Sequence, residues 1–371
     1  PGCAAIPAPH AERAKIAYET GRRIVEMVNE DLTPSRILTR HAFENAIVVA
    51  SAIGASTNCP PHLVAIARHI GVPLDVNDWE TIGHNLPLLA NIQPAGEFLG
   101  EDFHRAGGVP AIFGELLRAG RVHGEALTVN GKSVQQNYGG SRSENPNVIR
   151  PFDNPVKERA GFLVVSGNLF ESALVKTSVI SEDFRRRFLS APGSEDCFVS
   201  RVIVFEGPED YRSRIEDPSL KIDETCMLVV RGAGPVAYPG SAEVVNMTPP
   251  GSLVSRGVTM LPCMGDGRQS GTSDSPSILN ASPEAAVGGN LAILETGDKV
   301  KVDLRNRRVD VLLSDEEIAR RRENWKPPRI KNDSPWQQLY REHVGQLQTG
   351  ACLEFAVQYR DLRNVVPRHS H

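Results

Sequence analysis

The sequence has 371 residues, of which 40% are hydrophobic and 23% are charged, as in an ordinary globular protein. This length suggests two domains, or two domains and a fragment. The net charge of −4 argues against a general nucleic-acid-binding protein. No uninterrupted apolar run approaches the ~18–20 residues of a membrane-spanning helix. We therefore expect a protein that binds neither nucleic acids nor membranes.

The first 150 residues carry the signals of helices. Apolar or small residues recur at helical spacing over residues 14–28, and a second helix is predicted over residues 37–53. Residues 77–80 resemble a capping box that would open another helix. A further helix is predicted near residues 101–105, between two breaker-rich loops.

Residues 54–61 read Gly-Ala-Ser-Thr-Asn-Cys-Pro-Pro, which predicts the start of a helix. The free N–H groups of such a start can bind a carboxylate or a phosphate. Plain helix capping is the more common role of these residue types, and the motif alone favours it.

The character of the chain changes near residue 150. Residues 139–155 are polar and turn-rich and predict a linker. Short β-branched runs follow and predict strands at residues 161–165, 173–180, 198–205, 227–230 and 253–261. Residues 299–304 and 309–313 predict a hairpin. Many short strands indicate a sandwich or a barrel-like domain. Capping signals at Ser314 and Ser334 predict two helices near the end of the chain.

The segment from Gly232 to Ala237 matches G-x-G-x-x-A, the dinucleotide-binding fingerprint. That motif needs a helix directly after it, but Pro235, Pro239 and Gly240 follow instead. A nicotinamide-dependent oxidoreductase is therefore a disfavoured alternative. Glu243, just beyond, could be exposed, paired or a ligand of a hard metal ion.

Residues 265–273 are rich in glycine and polar side chains. They narrowly miss the G-x-S-x-G elbow of esterases, because Arg268 stands where the first glycine should be. Ser270, next to Gly271 and near Arg268, could be an activated hydroxyl, or the segment could be a polar surface loop.

These segments together resemble the dihydroxy-acid and sugar-acid dehydratase family. The matching stretches occur in the family's order along nearly the whole chain, at residues 1–8, 54–58, 93–96, 127–132, 167–169, 234–247, 265–272, 280–284 and 367–371. The long tail with its Arg-His-Ser-His ending favours the sugar-acid branch.

The resemblance implies an α/β fold in three parts. Residues 1–150 would be the helix-rich remainder of an α/β/α N-terminal domain, and residues 151–325 a β-rich, barrel-like domain. Residues 326–371 would form a helical tail that packs back on the first domain. The resemblance also implies a homo-oligomer, a dimer or a tetramer, with active sites near subunit interfaces.

The activity that the resemblance implies is a hydro-lyase reaction, in which a sugar acid loses water to give a 2-keto-3-deoxy acid. A [2Fe–2S] cluster and Mg²⁺ would assist. Ser270 would be the base, which needs nearby cations because a free serine hydroxyl is far too weakly acidic. Glu243 would be a Mg²⁺ ligand, and the substrate would contact Ser56, Thr57, Asn58 and Arg268.

The six cysteines are widely spaced and form no C-x-x-C pair. Three disulfides are possible, but that pattern suits short secreted chains, so we expect reduced, buried cysteines in a cytoplasmic protein. The family's three cluster cysteines, and its other Mg²⁺ ligands, would lie before the segment that begins at Pro1. We therefore expect no cluster ligand in this chain, and an alternative is that the chain by itself is catalytically inactive.

Overall fold

The computed structural model describes residues 6–243, 247–269 and 274–359. Its first part is helical, as predicted. The helices are α1 (Glu12–Asn29), α2 (Pro34–Ile37), α3 (Arg40–Ala52), α4 (Cys59–Ile70), α5 (Gly100–Arg105), α6 (Gly108–Arg118) and α7 (Val134–Tyr138). The capping-box signal at residues 77–80 opens a single π-helical turn, Trp79–Gly83, rather than a longer helix.

The helix predicted over residues 37–53 is wrong at its start. The chain leaves helical geometry after α2 and re-enters it at Arg40, because Thr39 has an extended backbone and caps the new helix. Its hydroxyl accepts a hydrogen bond from the Ala42 N–H at 3.4 Å. The helix start predicted near residue 58 is confirmed by α4.

Residues 139–155, which were predicted as a linker, pack against the helical part and are not a free segment. Val148 and Ile149 are fully buried in the core of the helical part. The Asn91 N–H donates to the Val148 carbonyl at 2.8 Å, and the Arg150 N–H donates to the Leu89 carbonyl at 2.9 Å. These contacts hold the segment against the helices, and a domain boundary near residue 150 stays a prediction.

The second part is built on one mixed sheet. Its strands are β1 (Phe162–Val165), β2 (Ser172–Lys176), β3 (Cys197–Glu206), β4 (Cys226–Arg231), β5 (Cys263–Gly265), β6 (Ser277–Ser282), β7 (Lys299–Asp303) and β8 (Arg308–Val311). They lie in the order β1-β2-β6-β5-β4-β3-β7-β8. The four central neighbours, β6, β5, β4 and β3, are parallel to one another, and the remaining pairs are antiparallel.

The two edges of this sheet meet, so that it curls into a barrel. Ser166, directly after β1, forms a parallel bridge with Arg308, and its carbonyl accepts from the Val309 N–H at 2.9 Å. The Asn168 side chain continues the contact: its Nδ2 donates to the Val311 carbonyl at 3.0 Å, and its Oδ1 accepts from the Val311 N–H at 2.7 Å. The predicted barrel-like domain is confirmed.

Alternation along the strands gives the barrel two apolar faces. Residues from every strand, such as Val175, Val229 and Val300, form the inner core. The outer faces of β1 and β2 pack on α3 and α4 through Phe162, Leu174 and their neighbours. This packing fixes the start of α4 beside one end of the barrel.

The strand predicted over residues 253–261 is wrong. Residues Gly251–Val254 form a short helix, α10, and the chain then runs as a loop to β5. Leu253 and Leu261 are buried on the outer face of the central strands. Their burial, rather than strand pairing, accounts for the apolar run. The run predicted at residues 173–180 ends as a strand at Lys176, where a 3₁₀ turn follows.

The remaining helices are α8 (Glu182–Phe188), α9 (Pro208–Arg214), α11 (Asp315–Asn324) and α12 (Pro335–His343). The helices predicted at Ser314 and Ser334 are confirmed, since each serine caps its helix. The segment after α12 contacts both parts of the molecule: Glu354 pairs with Arg68 at 2.8 Å, and Gln346 donates to Glu284 at 3.0 Å. Within the described residues, no helix is long and apolar enough to cross a membrane.

Candidate functional site

The candidate site lies where the parallel strands β4, β5 and β6 end. Their carboxyl ends meet at one edge of the sheet, and ligands of α/β proteins bind at such edges. The loops that follow β4 and β5 include residues 232–243 and 266–269, which contain the predicted residues Glu243 and Arg268. The start of α4 reaches the same edge.

Side-chain contacts join α4 to these loops. The Asn58 Nδ2 donates to Glu243 Oε1, and the Asn280 Nδ2, on β6, donates to the Thr57 carbonyl at 3.1 Å. The Ser56 hydroxyl accepts from the Asn58 N–H at 3.2 Å. The fold therefore brings the predicted residues of α4 together with Glu243, although their roles stay predictions.

Arg268 links the two loops to α4. Its Nε donates to the Ser241 carbonyl at 2.5 Å, and its Nη1 lies 3.0 Å from His62 Nε2. Because a guanidinium group only donates, His62 Nε2 accepts this hydrogen bond. The cationic side chain is thus held at the same edge as Asn58 and Glu243. Ser270, the predicted base, lies outside the described residues.

Two buried carboxylates shape the loops of the site. Asp266 accepts from the N–H groups of Gly232, Ala233 and Ala285 at 2.9–3.0 Å. Glu284 accepts from the N–H groups of residues 236 and 237 at 2.9 and 3.0 Å. Burial raises the pKa of both carboxyl groups, and the backbone N–H donors oppose that rise.

These carboxylates explain the glycine-rich segment at residues 232–237. A Cβ on Gly234 would lie 2.5 Å from Glu284 Oε2, so only glycine allows the backbone to approach the carboxylate. No helix follows within residues 232–243, as the breakers predicted. The segment therefore wraps carboxylates of its own chain, and the geometry of a dinucleotide fingerprint is not present there.

Several buried oxygens at this edge have no hydrogen-bond partner among the described residues. They are Asn58 Oδ1, Ser241 Oγ and Asn280 Oδ1. An unpaired buried polar atom costs about 1–3 kcal/mol, so such atoms indicate a place for water, an ion or a ligand. Together with Glu243 they form an oxygen-rich donor set, which is the kind that Mg²⁺ prefers.

Sequence reasoning missed several residues at this edge. His62, Asn280 and Ser241 are single residues without a motif of their own, although Asn280 falls in a segment that carries the family resemblance. Lys176, at the end of β2, lies beneath the loop before α4: a Cβ on Gly54 would be 3.8 Å from its Cε. Burial lowers the pKa of Lys176 to about 8.

The cysteines of the described residues do not offer an iron–sulfur ligand set. Five are free, and neither of the two described groups of three potential ligands contains a cysteine. Burial raises the pKa of the Cys263 thiol to about 11, which disfavours the thiolate that a metal needs. The described residues therefore do not fit a [2Fe–2S] cluster.

Comparison with known proteins shows the family. Residues 1–137 match the dihydroxy-acid/6-phosphogluconate dehydratase N-terminal family, and residues 147–351 match the corresponding C-terminal family. This chain therefore belongs to the dihydroxy-acid/6-phosphogluconate dehydratases.

Named relatives are dehydratases of sugar acids and of dihydroxy acids. The chain is 54% identical to the D-xylonate dehydratase of Caulobacter vibrioides and 40% identical to the L-arabinonate dehydratase of Rhizobium leguminosarum, in both cases over 100% of its own length. It is 37% identical to the dihydroxy-acid dehydratase of Caldanaerobacter subterraneus over 95% of its length. The chain spans 62%, 62% and 61% of these relatives.

Proposed function

We propose that the protein containing this chain is a hydro-lyase that converts a sugar acid such as D-xylonate to its 2-keto-3-deoxy acid. One observation carries the proposal: at the carboxyl edge of the parallel strands Asn58 contacts Glu243, and Arg268 contacts Ser241 and His62 beside them. The 54% identity to a D-xylonate dehydratase supports a sugar acid as the substrate.

The edge offers the groups that a sugar acid needs. Arg268 supplies a positive charge for the carboxylate. The start of α4, with Ser56, Thr57 and Asn58, supplies hydroxyl and amide groups for the substrate hydroxyls. The unpartnered oxygen of Asn280 accepts a hydrogen bond from one of those hydroxyls. Binding would therefore satisfy a polar atom that the described residues leave unpaired.

Glu243 is the residue that we assign to Mg²⁺, with the Asn58 side-chain oxygen as a neighbouring donor. Both are hard oxygen ligands, and one or two carboxylates with substrate and water are the usual protein contribution to a Mg²⁺ site. When bound, Mg²⁺ would polarise the substrate carboxylate and the C2 oxygen, which makes the C2 proton more acidic.

Ser270 is assigned as the base. Its deprotonated Oγ would take the C2 proton and pass it to the C3 hydroxyl, which would leave as water with the electron pair of the C–O bond. The C2–C3 enol that remains would tautomerise to the 2-keto acid. Arg268, two residues before it in the sequence, adds positive charge that favours a deprotonated oxygen nearby. We assign the family's [2Fe–2S] cluster to residues other than the described ones. We also place the protein in the cytoplasm as a homo-dimer or homo-tetramer.

The test is an assay of the full-length protein on D-xylonate and L-arabinonate that follows formation of the 2-keto-3-deoxy acid. Ser270→Ala should lower kcat by about 10²–10⁴-fold. Glu243→Gln should raise the Mg²⁺ concentration needed for half-maximal rate. Ser255→Ala, at an exposed serine outside the site, is the matched control. Near wild-type turnover by Ser270→Ala would exclude the serine base, and no dehydration of any sugar acid would exclude the proposed activity.

A second candidate is that the 371-residue chain by itself does not turn over substrate. This candidate is favoured because the cysteines of the described residues are free and belong to no group of potential metal ligands. Iron and acid-labile sulfide analysis of this chain decides the point, because a stoichiometric cluster would refute the second candidate.

A further inference from the structure

Three potential metal ligands converge at the amino end of α3, away from the candidate site. His41 lies in the first turn of α3, and His123 and Glu125 lie in the loop after α6. One ligand atom of each residue lies within 4.8 Å of the other two. His41 stands roughly 16 Å along the helix axis from the carboxyl end of α3, where the loop to the candidate site begins.

The distances within the cluster suit a shared cation. Glu125 Oε1 lies 2.9 Å from His41 Nδ1 and 3.7 Å from His123 Nδ1. Zn²⁺ binds imidazole and carboxylate at about 2.0–2.2 Å with tetrahedral geometry, which places neighbouring ligand atoms about 3.3 Å apart. The two observed distances fall on either side of that separation. Because the rings are stacked, each must turn out of the stack before both in-plane lone pairs point at one ion.

Hydrogen bonds to residues of α3 hold His123 in place. Its backbone N–H donates to Asn45 Oδ1 at 2.7 Å, and its carbonyl accepts from Asn45 Nδ2 at 3.0 Å. Its Nε2 lies 2.6 Å from Glu44 Oε2, and Arg40 donates to Glu44 at 2.7 Å. A carboxylate on the far nitrogen of a histidine is the arrangement that orients metal-binding histidines.

The hydrogen bond to Glu44 also assigns the proton on the His123 ring. An ionised carboxylate only accepts, so Nε2 carries a proton, and in the neutral ring Nδ1 has the lone pair that a metal ion needs. Nδ1 faces the Glu125 oxygen, which also only accepts. Either a second ring proton or a cation between these two atoms removes the repulsion of their lone pairs.

The two imidazole rings lie side by side at the surface. They are stacked, with centroids 3.9 Å apart and an angle of 3° between the planes. The side chains of His41 and His123 are 54% and 37% exposed, so an ion from solvent can reach them.

We propose that His41, His123 and Glu125 bind a divalent transition metal ion of the zinc class, with Glu44 orienting His123. Imidazole nitrogen with one carboxylate suits zinc and neighbouring metals rather than Mg²⁺. Three protein ligands leave a fourth position for water. The bound ion would tie the start of α3 to the loop after α6.

A second histidine group is less well arranged. His10, Glu12 and His104 also lie within 4.8 Å, but the two rings meet edge-on at 5.5 Å. Each histidine faces a different carboxylate, at 3.6 and 3.4 Å. These distances exceed a good hydrogen bond, so no tightly held carboxylate orients either ring.

The experiment titrates the purified, chelator-treated protein with Zn²⁺ alone and records the number of equivalents and their affinity by calorimetry. His123→Ala and His41→Ala should each lose one zinc equivalent or weaken it at least tenfold. Glu44→Gln should weaken the same equivalent by about 10–100-fold. The control His69→Ala, at an exposed histidine near the end of α4, should bind as the wild type does. Zn²⁺ should also raise the Tm of the wild type more than that of His123→Ala.

Unchanged zinc stoichiometry and affinity in both His41→Ala and His123→Ala would overturn the proposal. So would loss of the zinc equivalent in His104→Ala with His123→Ala unaffected, because the ion would then bind at the second group. Comparison of the apo-protein Tm of each variant with that of the wild type shows that the variants fold.

Discussion

Replacing Lys176 with methionine should stabilise the protein at neutral pH. Lys176 ends β2 beneath the loop that enters α4, and burial lowers its pKa from the ordinary 10.5 to about 8. The charged form is therefore less favourable in the folded than in the unfolded protein. Methionine keeps an unbranched stem of similar length and removes the charge.

The magnitude follows from the two pKa values. Between pH 8 and 10.5 the unfolded chain binds more protons at this lysine than the folded protein, so the stability contribution of Lys176 rises with pH in that window. At pH 7 Lys176 is mostly charged in both states, and its burial lowers the free energy of unfolding by about 3 kcal/mol. At pH 9 the folded lysine is mostly neutral, and the penalty falls to about 2 kcal/mol.

The assay is guanidinium denaturation of the wild type and of Lys176→Met at pH 7 and pH 9. The variant should gain up to about 3 kcal/mol of unfolding free energy at pH 7, and about 1 kcal/mol less at pH 9. Lys301→Met removes an exposed lysine on β7 and is the matched control. A variant that is less stable than the wild type at pH 7, or an equal gain at both pH values, would refute the assignment of Lys176 as a buried, destabilising charge.

Three further outcomes test the loops, the barrel closure and the buried thiol. Asp266→Ala leaves three buried N–H groups unpaired and should lower the free energy of unfolding in urea by about 3 kcal/mol or more. A loss below about 1 kcal/mol would contradict the hydrogen bonds that Asp266 accepts. Asn168→Ala should lower the free energy of unfolding by about 1–2 kcal/mol and speed amide exchange at Val311. Unchanged exchange at Val311 would count against closure of the barrel through the Asn168 side chain. Burial raises the pKa of Cys263 to about 11, so Cys263 should react with a maleimide at pH 8 more slowly than the half-buried Cys197. Equal rates would show that Cys263 is accessible.

Local signals predicted about half of the α-helices and most of the strands. The stop at Gly54, the caps at Ser314 and Ser334, and the alternation over residues 299–311 each depend on a few neighbouring residues. The errors have a common cause. An apolar run shows that residues are buried but not in which conformation, so residues 253–261 were predicted as a strand although Leu253 and Leu261 only cover the sheet.

The apolar stripe of α1 shows that a pattern can predict the conformation correctly without predicting burial. Its helical spacing is confirmed, but within α1 only Met27 is buried, whereas Tyr18, Ile24, Val25 and Val28 are exposed. Periodicity predicts a helix with an apolar face and does not say which surface covers it.

The candidate site was predictable only as separate segments. The sequence identified residues 54–58 and 265–272 by resemblance, and the motif alone favoured capping over binding as the role of the first. His62 and Lys176 had no motif, because a single polar residue becomes part of a site only through its neighbours in space. Ser270 lies outside the described residues, and its role stays a prediction.

The sequence by itself determined about half of the α-helices, most strands and the family to which the chain belongs, because these depend on local patterns and on ordered motifs. Tertiary structure decided that the sheet closes into a barrel through Asn168, and that Asn58 meets Glu243 across 185 residues. It also decided that the glycines near Gly234 wrap Glu284. Such contacts follow from strand order and from the burial of whole faces, to which many distant residues contribute together, so no short segment encodes them.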